Sequence, residues 1–545
     1  MSKNLAMVQN SMPAGERDKI EFGDFQTPQE LAFLICRFLK SAGVAPSSIV
    51  EPTCGQGSFL LAALETFPSA SRLLGIDINS SYLDEAAYKL SHNHLSDKHL
   101  SDKLDKVELK QGNFFTLNWE NLIDPLPEPL LIIGNPPWVT NSELGSIGGQ
   151  NLPQKSNFQN YGGFEAISGK SNFDISEWML IHLIRCLERK RATVAMLCKF
   201  TVARKVIKST WQMGLQQSIE AAIYFIDARR YFNISAKACL LVCSIRGSQR
   251  QEADQAYIYV YPDLSQGAPI SALSLARNCN LGRGQLVADI EKYRTWGQLE
   301  LVKGERHYQW RSGIKHDCQK IMELHRVENF YQNGLGERCD LEDECLYPLL
   351  KSSDLGRLKE REPNSKGDSF LIPHRWVIVT QEFIGQDTSI IRHKAPKTWR
   401  YLQEHLGFFA RRKSSIYKNR PPFAIFAVGD YAFSPWKVAI SGLYKKLHFV
   451  VVGPYAGKPV MLDDTCYFIA CQAEGEAKLI VSLLNSPPAR EFFSSIIFWD
   501  AKRPITIEIL KQLDLIKVAD LMGKREEIKF YLGKKNQYAY NRKNI

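Results

Sequence analysis

No run of about 18 apolar residues occurs in the 545-residue chain, so no segment is a candidate for a membrane-crossing helix. The first 21 residues are polar and hold no apolar signal segment. The expected location is therefore cytoplasmic, with a flexible start over residues 1–24. None of the twelve cysteines forms a CxxC pair, and Cys239 and Cys243 fall inside a strand-like run; reduced core thiols are expected, and no metal centre. The GxGxxG fingerprint of dinucleotide folds is also missing, which weakens NAD as a ligand.

What is present is length for two or three domains, with 44% hydrophobic residues to fill their cores. The net charge of +11 is unevenly spread: residues 1–300 hold 30 basic and 30 acidic side chains, residues 301–545 hold 39 and 28. Residues 388–446 carry twelve Lys/Arg against two acidic residues, interleaved with Trp399, Tyr401, Phe408, Phe409, Tyr417, Phe423, Phe426, Tyr431, Phe433, Trp436 and Tyr444. A basic, aromatic surface suits nucleic acid. A charged face over an aromatic core reads the same way.

Phe25-Gln-Thr-Pro opens an amphipathic helix with Thr27 as cap, Pro28 at its first position, Leu31, Leu34, Ile35, Phe38 and Leu39 on one face, and Gly43 past its end. Ser48-Ile-Val is a short strand leading into Glu51-Pro-Thr-Cys-Gly-Gln-Gly-Ser-Phe. There Gly55 and Gly57 allow a sharp bend and close approach of a ligand, and Ser58–Phe67 continues as a helix. Leu73-Leu-Gly-Ile-Asp-Ile ends in Asp77, placed to accept from both hydroxyls of a ribose. Val107-Glu-Leu-Lys-Gln precedes Gly112-Asn-Phe-Phe, where Asn113 can meet an adenine edge and Phe114 can form an apolar wall.

The fourth strand begins Leu130-Leu-Ile-Ile-Gly-Asn-Pro-Pro-Trp. An exocyclic amine on a heteroaromatic base is a poor nucleophile because its lone pair is delocalised into the ring. Two acceptors aimed at its hydrogens, the Asn135 side-chain oxygen and the Pro136 carbonyl, would draw that nitrogen toward tetrahedral geometry. Pro136 and Pro137 have little freedom, so the acceptors are held in advance, and Trp138 can stack on the base. Alone, the tetrapeptide could be a turn. Four strands that deliver Glu51, Asp77, Asn113 and Asn135 to one rim favour a site, because α/β sheets bind ligands at their carboxyl edge.

In the order and content of these motifs the chain resembles the class I S-adenosylmethionine-dependent methyltransferases, specifically the TaqI-like N6-adenine DNA methyltransferases of type II restriction-modification systems. The resemblance implies a Rossmann-like seven-stranded α/β catalytic domain over residues 25–300. It also implies a mixed α/β DNA-specificity domain over residues 301–545. Strands Ala221–Asp227 and Ala238–Ile245 would complete the sheet. By the resemblance, Thr27, Glu51 and Thr53 hold the methionine end of S-adenosylmethionine, with Gly55 and Gly57 in the turn. Asp77 and Ile78 would take its ribose and adenine, and Asn113, Phe114 and Pro137 the rest of the adenine pocket. Position 113 is Asn where Asp is usual, and position 138 is Trp where Tyr or Phe is usual.

A second base-stacking aromatic is implied in Arg229-Arg-Tyr-Phe-Asn and assigned to Phe232, with core packing as its alternative. Two aromatics gripping one base imply that the base has left its duplex. Val139–Asn172 reads as a long polar loop that orders when substrate enters. Leu346–Leu355, Gly429–Gly442 and Phe498–Thr506 resemble parts of the specificity region, the last two aromatic and basic enough to touch DNA. Too little chain precedes Thr27 for a fused nuclease, and no PD with a nearby (D/E)xK is evident; a separately encoded restriction endonuclease is the partner such systems imply. The expected activity is methyl transfer to N6 of an adenine in double-stranded DNA. The rivals are an RNA or protein-glutamine methyltransferase and a catalytically degenerate DNA-binding subunit.

Overall fold

The computed structural model describes residues 25–92, 104–140, 174–213, 219–247, 256–265, 267–269, 271–277, 284–301, 307–328, 330–357, 372–499, 501 and 503–543. It divides into two compact units, residues 1–286 and 287–545.

The first unit begins with α1 (Gln29–Ser41). Pro28, with φ −58° and ψ 139°, is its cap rather than its first residue, and Thr27 makes no capping bond. A residue before proline is held extended, which leaves Thr27 one position too early to cap. Leu31, Ile35, Phe38 and Leu39 are buried as expected; Leu34 is exposed, and Ala32 and Cys36 take its place in the core. Gly43, at φ +87°, ends the helix in a left-handed turn, with its N–H on Lys40 and the Val44 N–H on Leu39.

The sheet is built from β1 (Ser48–Glu51), β2 (Arg72–Asp77), β3 (Val107–Gln111), β4 (Leu130–Gly134), β5 (Arg191–Lys199), β6 (Ile219–Ile226) and β7 (Ala238–Arg246). Neighbours run β3-β2-β1-β4-β5-β7-β6. The first five are mutually parallel, and β7 is inserted antiparallel to both β5 and β6. Helices α2 (Ser58–Thr66), α3 (Ser80–His92), α4 (Ile175–Cys186) and α5 (Phe200–Gln212) fall between the strands in sequence. All of β1 and β4 is buried, as a central parallel strand covered on both faces requires. Each buried Leu or Ile of β4 contributes about 1.5–3 kcal/mol.

The sheet does not stop at seven strands. β8 (Ala256–Tyr261), β9 (Ser271–Arg277) and β10 (Gly284–Val287) extend it to ten, with β8 parallel to β6 and β9 antiparallel to β8. They cover what would be an open edge of β6, where Tyr261 stacks on Tyr224 at 4.6 Å.

The second unit is mixed α/β, with a four-stranded antiparallel sheet and a six-stranded sheet. In the latter every pairing is antiparallel except that of Leu346–Leu350 with Met461–Leu462. Within 388–446 the sequence pattern resolves into inside and outside. Tyr401, Phe409, Phe423 and Phe426 are buried and Tyr444 alone is exposed, whereas Arg392, Lys394, Lys397, Arg400, Arg411, Lys413, Lys418, Arg420, Lys445 and Lys446 face solvent. The expected basic and aromatic surface is thus mainly basic: Tyr401, Phe409 and Phe423 join the core beneath it, while Trp399, Phe408, Tyr417, Tyr431, Phe433 and Trp436 are half-buried. Lys437 is a further correction: it is 1% exposed and donates to the Ser434 carbonyl at 2.7 Å, so it offers nothing to DNA.

Candidate active site

The sheet order β4-β1-β2-β3 sets Asn135, Glu51, Asp77 and Gly112 side by side along the carboxyl edge of four neighbouring strands. They border a cleft of about 810 Å³, counted with its mouth. Of the residues expected there, Thr27, Glu51, Thr53, Gly55, Asp77, Ile78, Phe114, Asn135 and Pro137 line it. Gly57, Asn113, Pro136, Trp138 and Phe232 do not.

The turn after β1 is locked by β2. Asp77 Oδ2 accepts from the Gly55 N–H at 2.8 Å and Oδ1 from the Asn79 N–H at 2.9 Å, so the carboxylate is held in one orientation. Gly55 has φ +50°, and a Cβ there would meet Gln26 Oε1 at 2.5 Å. Gln26 Oε1 in turn accepts from the Gln56 N–H at 3.2 Å. Gly57 does not face the cleft; at φ +77° it caps α2 in the left-handed region.

Glu51 is 3% exposed, and one of its oxygens accepts from the Leu60 N–H at 3.1 Å. Burial pushes its pKa up; the Leu60 N–H opposes this and the Asp77 charge adds to it. A carboxylate so desolvated regains its charged form when a cation sits opposite, which makes Glu51 suited to a cationic ligand group. Thr53 Oγ1 is buried beside it without a hydrogen bond among the described residues.

Asn135 is oriented by a bond that admits one reading. Its Nδ2 lies 2.9 Å from the Phe25 carbonyl, and a carbonyl only accepts, so nitrogen must face Phe25 and Oδ1 must face the other way. That oxygen is buried and makes no hydrogen bond among the described residues. A buried, unpaired acceptor calls for an explanation, and a donor on a ligand is one.

Asn113 behaves differently from its expectation. Its Oδ1 turns back to the Phe115 N–H at 2.9 Å, closing a local turn, and Gly112, Phe114 and Phe115 take its place along the cleft. Phe114 is the expected wall, wedged against Trp119 at 4.6 Å and edge-on to Trp178 at 6.2 Å. Trp138 and Phe232 are brought together, but against each other: their ring centroids are 5.3 Å apart at 59°, with Phe25 at 6.1 Å from Trp138 and 6.5 Å from Phe232. A base between two rings needs them about 7 Å apart, twice the usual carbon–carbon separation. In this arrangement the two rings close on each other. The loop expected from Val139 to Asn172 lies outside the described residues beyond Thr140.

The cleft also holds Phe25, Gln26, Tyr82, Phe115, Ile175 and Met179, none of them singled out beforehand as site residues. Phe25 and Gln26 stand within the Phe-Gln-Thr-Pro motif, and Ile175 and Met179 are four apart on α4, so a motif and a helical period carried the signal. Among the described residues no group of three His, Cys, Asp or Glu can hold a metal ion.

A profile of the N-6 DNA methylase family matches residues 13–259. The type II methyltransferase M.NspV of a Nostoc species is 43% identical over 507 residues, covering 93% of this chain and 99% of that protein. The type II methyltransferase M.BanIII of Aneurinibacillus aneurinilyticus is 31% identical over 153 residues, 26% of either chain. Among solved structures, the type IIL restriction-modification enzyme MmeI in complex with DNA aligns with a TM-score of 0.45 at 15% identity, over 86% of this chain and 62% of that one.

Proposed function

The chain belongs to the type II DNA methyltransferases of the N-6 DNA methylase family, and from that premise we propose that it methylates N6 of an adenine flipped out of double-stranded DNA, as the modification enzyme of a restriction-modification system. The observation that carries the reading is the buried Asn135 Oδ1 at the carboxyl end of β4, unpaired among the described residues and oriented by the bond from Asn135 Nδ2 to the Phe25 carbonyl.

S-adenosylmethionine, when bound, supplies an activated methyl group, so the protein's task is to place and polarise the acceptor amine. Its fit to the cleft rests on chemistry already present. Glu51 is desolvated, Thr53 Oγ1 has no hydrogen-bond partner among the described residues, and the Asp77 carboxylate is held at the cleft by the Gly55 and Asn79 N–H groups. Thr27, Glu51 and Thr53 hold the amino-acid end, Asp77 and Ile78 the ribose and adenine, and Phe114 and Pro137 the apolar wall. Gly55 lets the backbone come close. Asn113 acts through its turn rather than by direct contact.

The Asn135 oxygen and the Pro136 carbonyl accept from the amine, and both bonds tighten as the nitrogen becomes tetrahedral. Trp138 and Phe232 part to receive the base between them. The unit from residue 287 onward binds the duplex through its exposed cations and reads its sequence. A separately encoded endonuclease is its partner in the system.

The test is incubation with methyl-labelled S-adenosylmethionine and unmethylated duplex DNA, with RNA and protein extracts in parallel. Label in N6-methyladenine supports the proposal. Label in RNA or glutamine, or none with intact cofactor binding, overturns it.

A further inference from the structure

Resting on that reading, we propose that Lys199 is a positioning residue for the base chemistry: from the end of β5 its ammonium grips the Trp138 carbonyl and so fixes the Asn135–Trp138 segment. Two prolines in this segment have no N–H to donate. The segment must therefore be held from outside through its side chains and carbonyls. Asn135 is held by Phe25, and Lys199 Nζ donates to the Trp138 carbonyl at 2.8 Å.

The same ammonium lies 2.7 Å from Asp174 Oδ2, and Asp174 is buried. Its other oxygen caps α4 by accepting from the Ser176 N–H at 3.3 Å. Val139 and Thr140 complete the junction, the first accepting from the Ile175 N–H at 2.9 Å and the second bridging Asp174. Because α4 brings Ile175 and Met179 to the cleft, one ammonium ties the base-side segment to a wall of the cofactor cleft. Lysine suits this role: it carries three donors on a long stem and a charge that Asp174 balances.

The experiment uses the full chain with Lys199→Met, Lys199→Arg and Asp174→Asn, once the wild type has been shown to make N6-methyladenine. A wild type that makes none overturns the proposed function, whatever Lys199 does. With an active wild type, Lys199→Met should lower the single-turnover methylation rate about 10- to 100-fold, the scale of a misplaced reacting group. Calorimetric affinity for S-adenosylmethionine should stay within about twofold, and Lys199→Arg should recover much of the rate, since it keeps a charged donor. Asp174→Asn, which leaves the bond to Trp138 available, should lose less than Lys199→Met. Three outcomes would each assign Lys199 a merely structural role and overturn the inference: an unchanged rate in Lys199→Met, a loss that follows cofactor affinity and melting temperature down together, or an Asp174→Asn variant as slow as Lys199→Met.

Discussion

Asn135 buries its side-chain oxygen and Lys437 its whole side chain, and their different surroundings give opposite predictions. Asn135 keeps an unpaired oxygen beside a cleft, so its partner arrives with substrate. Asn135→Ala should reduce methyl transfer about 10²- to 10³-fold, as loss of one preorganised polar group does, while DNA affinity by filter binding changes little. A variant of wild-type rate would remove the residue from the chemistry. Lys437 is enclosed in the second unit, and burial lowers its pKa from 10.5 to about 7. Between those values the unfolded chain holds a proton that the folded chain does not, so this lysine makes stability rise with pH across that window. Below it both states are charged and the folded state bears the burial cost in full. Lys437→Met should therefore stabilise the protein most at or below about pH 7, and its advantage in melting temperature should shrink toward about pH 10.

At the scale of elements, the turn from β1 into α2 works as a unit with β2, since Asp77 reaches across to the Gly55 N–H. Gly55→Ala would add a Cβ at φ +50° and push it onto Gln26, which also holds the Gln56 N–H. Calorimetry should show S-adenosylmethionine affinity reduced about tenfold or more, with the sheet intact by circular dichroism. The order of motifs along the chain was legible because each strand is short and leads at once into its motif, and all but Val107–Gln111 are mainly apolar. The exact start of α1 was not, because Thr27 and Pro28 each satisfy a rule for a helix start and only the backbone angles choose between them. The three added strands had a signal in the alternation of Ala256–Tyr261, but a strand's partner is set by which edge lies open.

Across the whole molecule, the excess charge lies on the second unit, and its exposed cations crowd residues 388–446. Each phosphate that a cation neutralises releases counterions and so adds to the salt dependence of binding. Replacing Arg400, Lys413 and Lys418 by alanine together should weaken duplex binding on all sequences. The slope of log affinity against log salt should fall by about one for each phosphate no longer neutralised, with cofactor affinity unchanged. An unchanged slope would move the DNA face elsewhere.

From the chain alone came the parallel α/β sheet, the rim carrying Glu51, Asp77 and Asn135, and the identity of the family, because these depend on local pattern and on motif order. Tertiary structure alone decided which groups in those motifs are free. The Asn113 oxygen accepts from the Phe115 N–H, the Asn135 oxygen is left open by the Phe25 carbonyl, and Trp138 and Phe232 meet ring to ring. It also drew Tyr401, Phe409 and Phe423 into the core and brought Lys199, 61 residues from Trp138, onto the Trp138 carbonyl. Hydrogen-bond partners and burial are set by atoms far apart in sequence, and no local pattern records them.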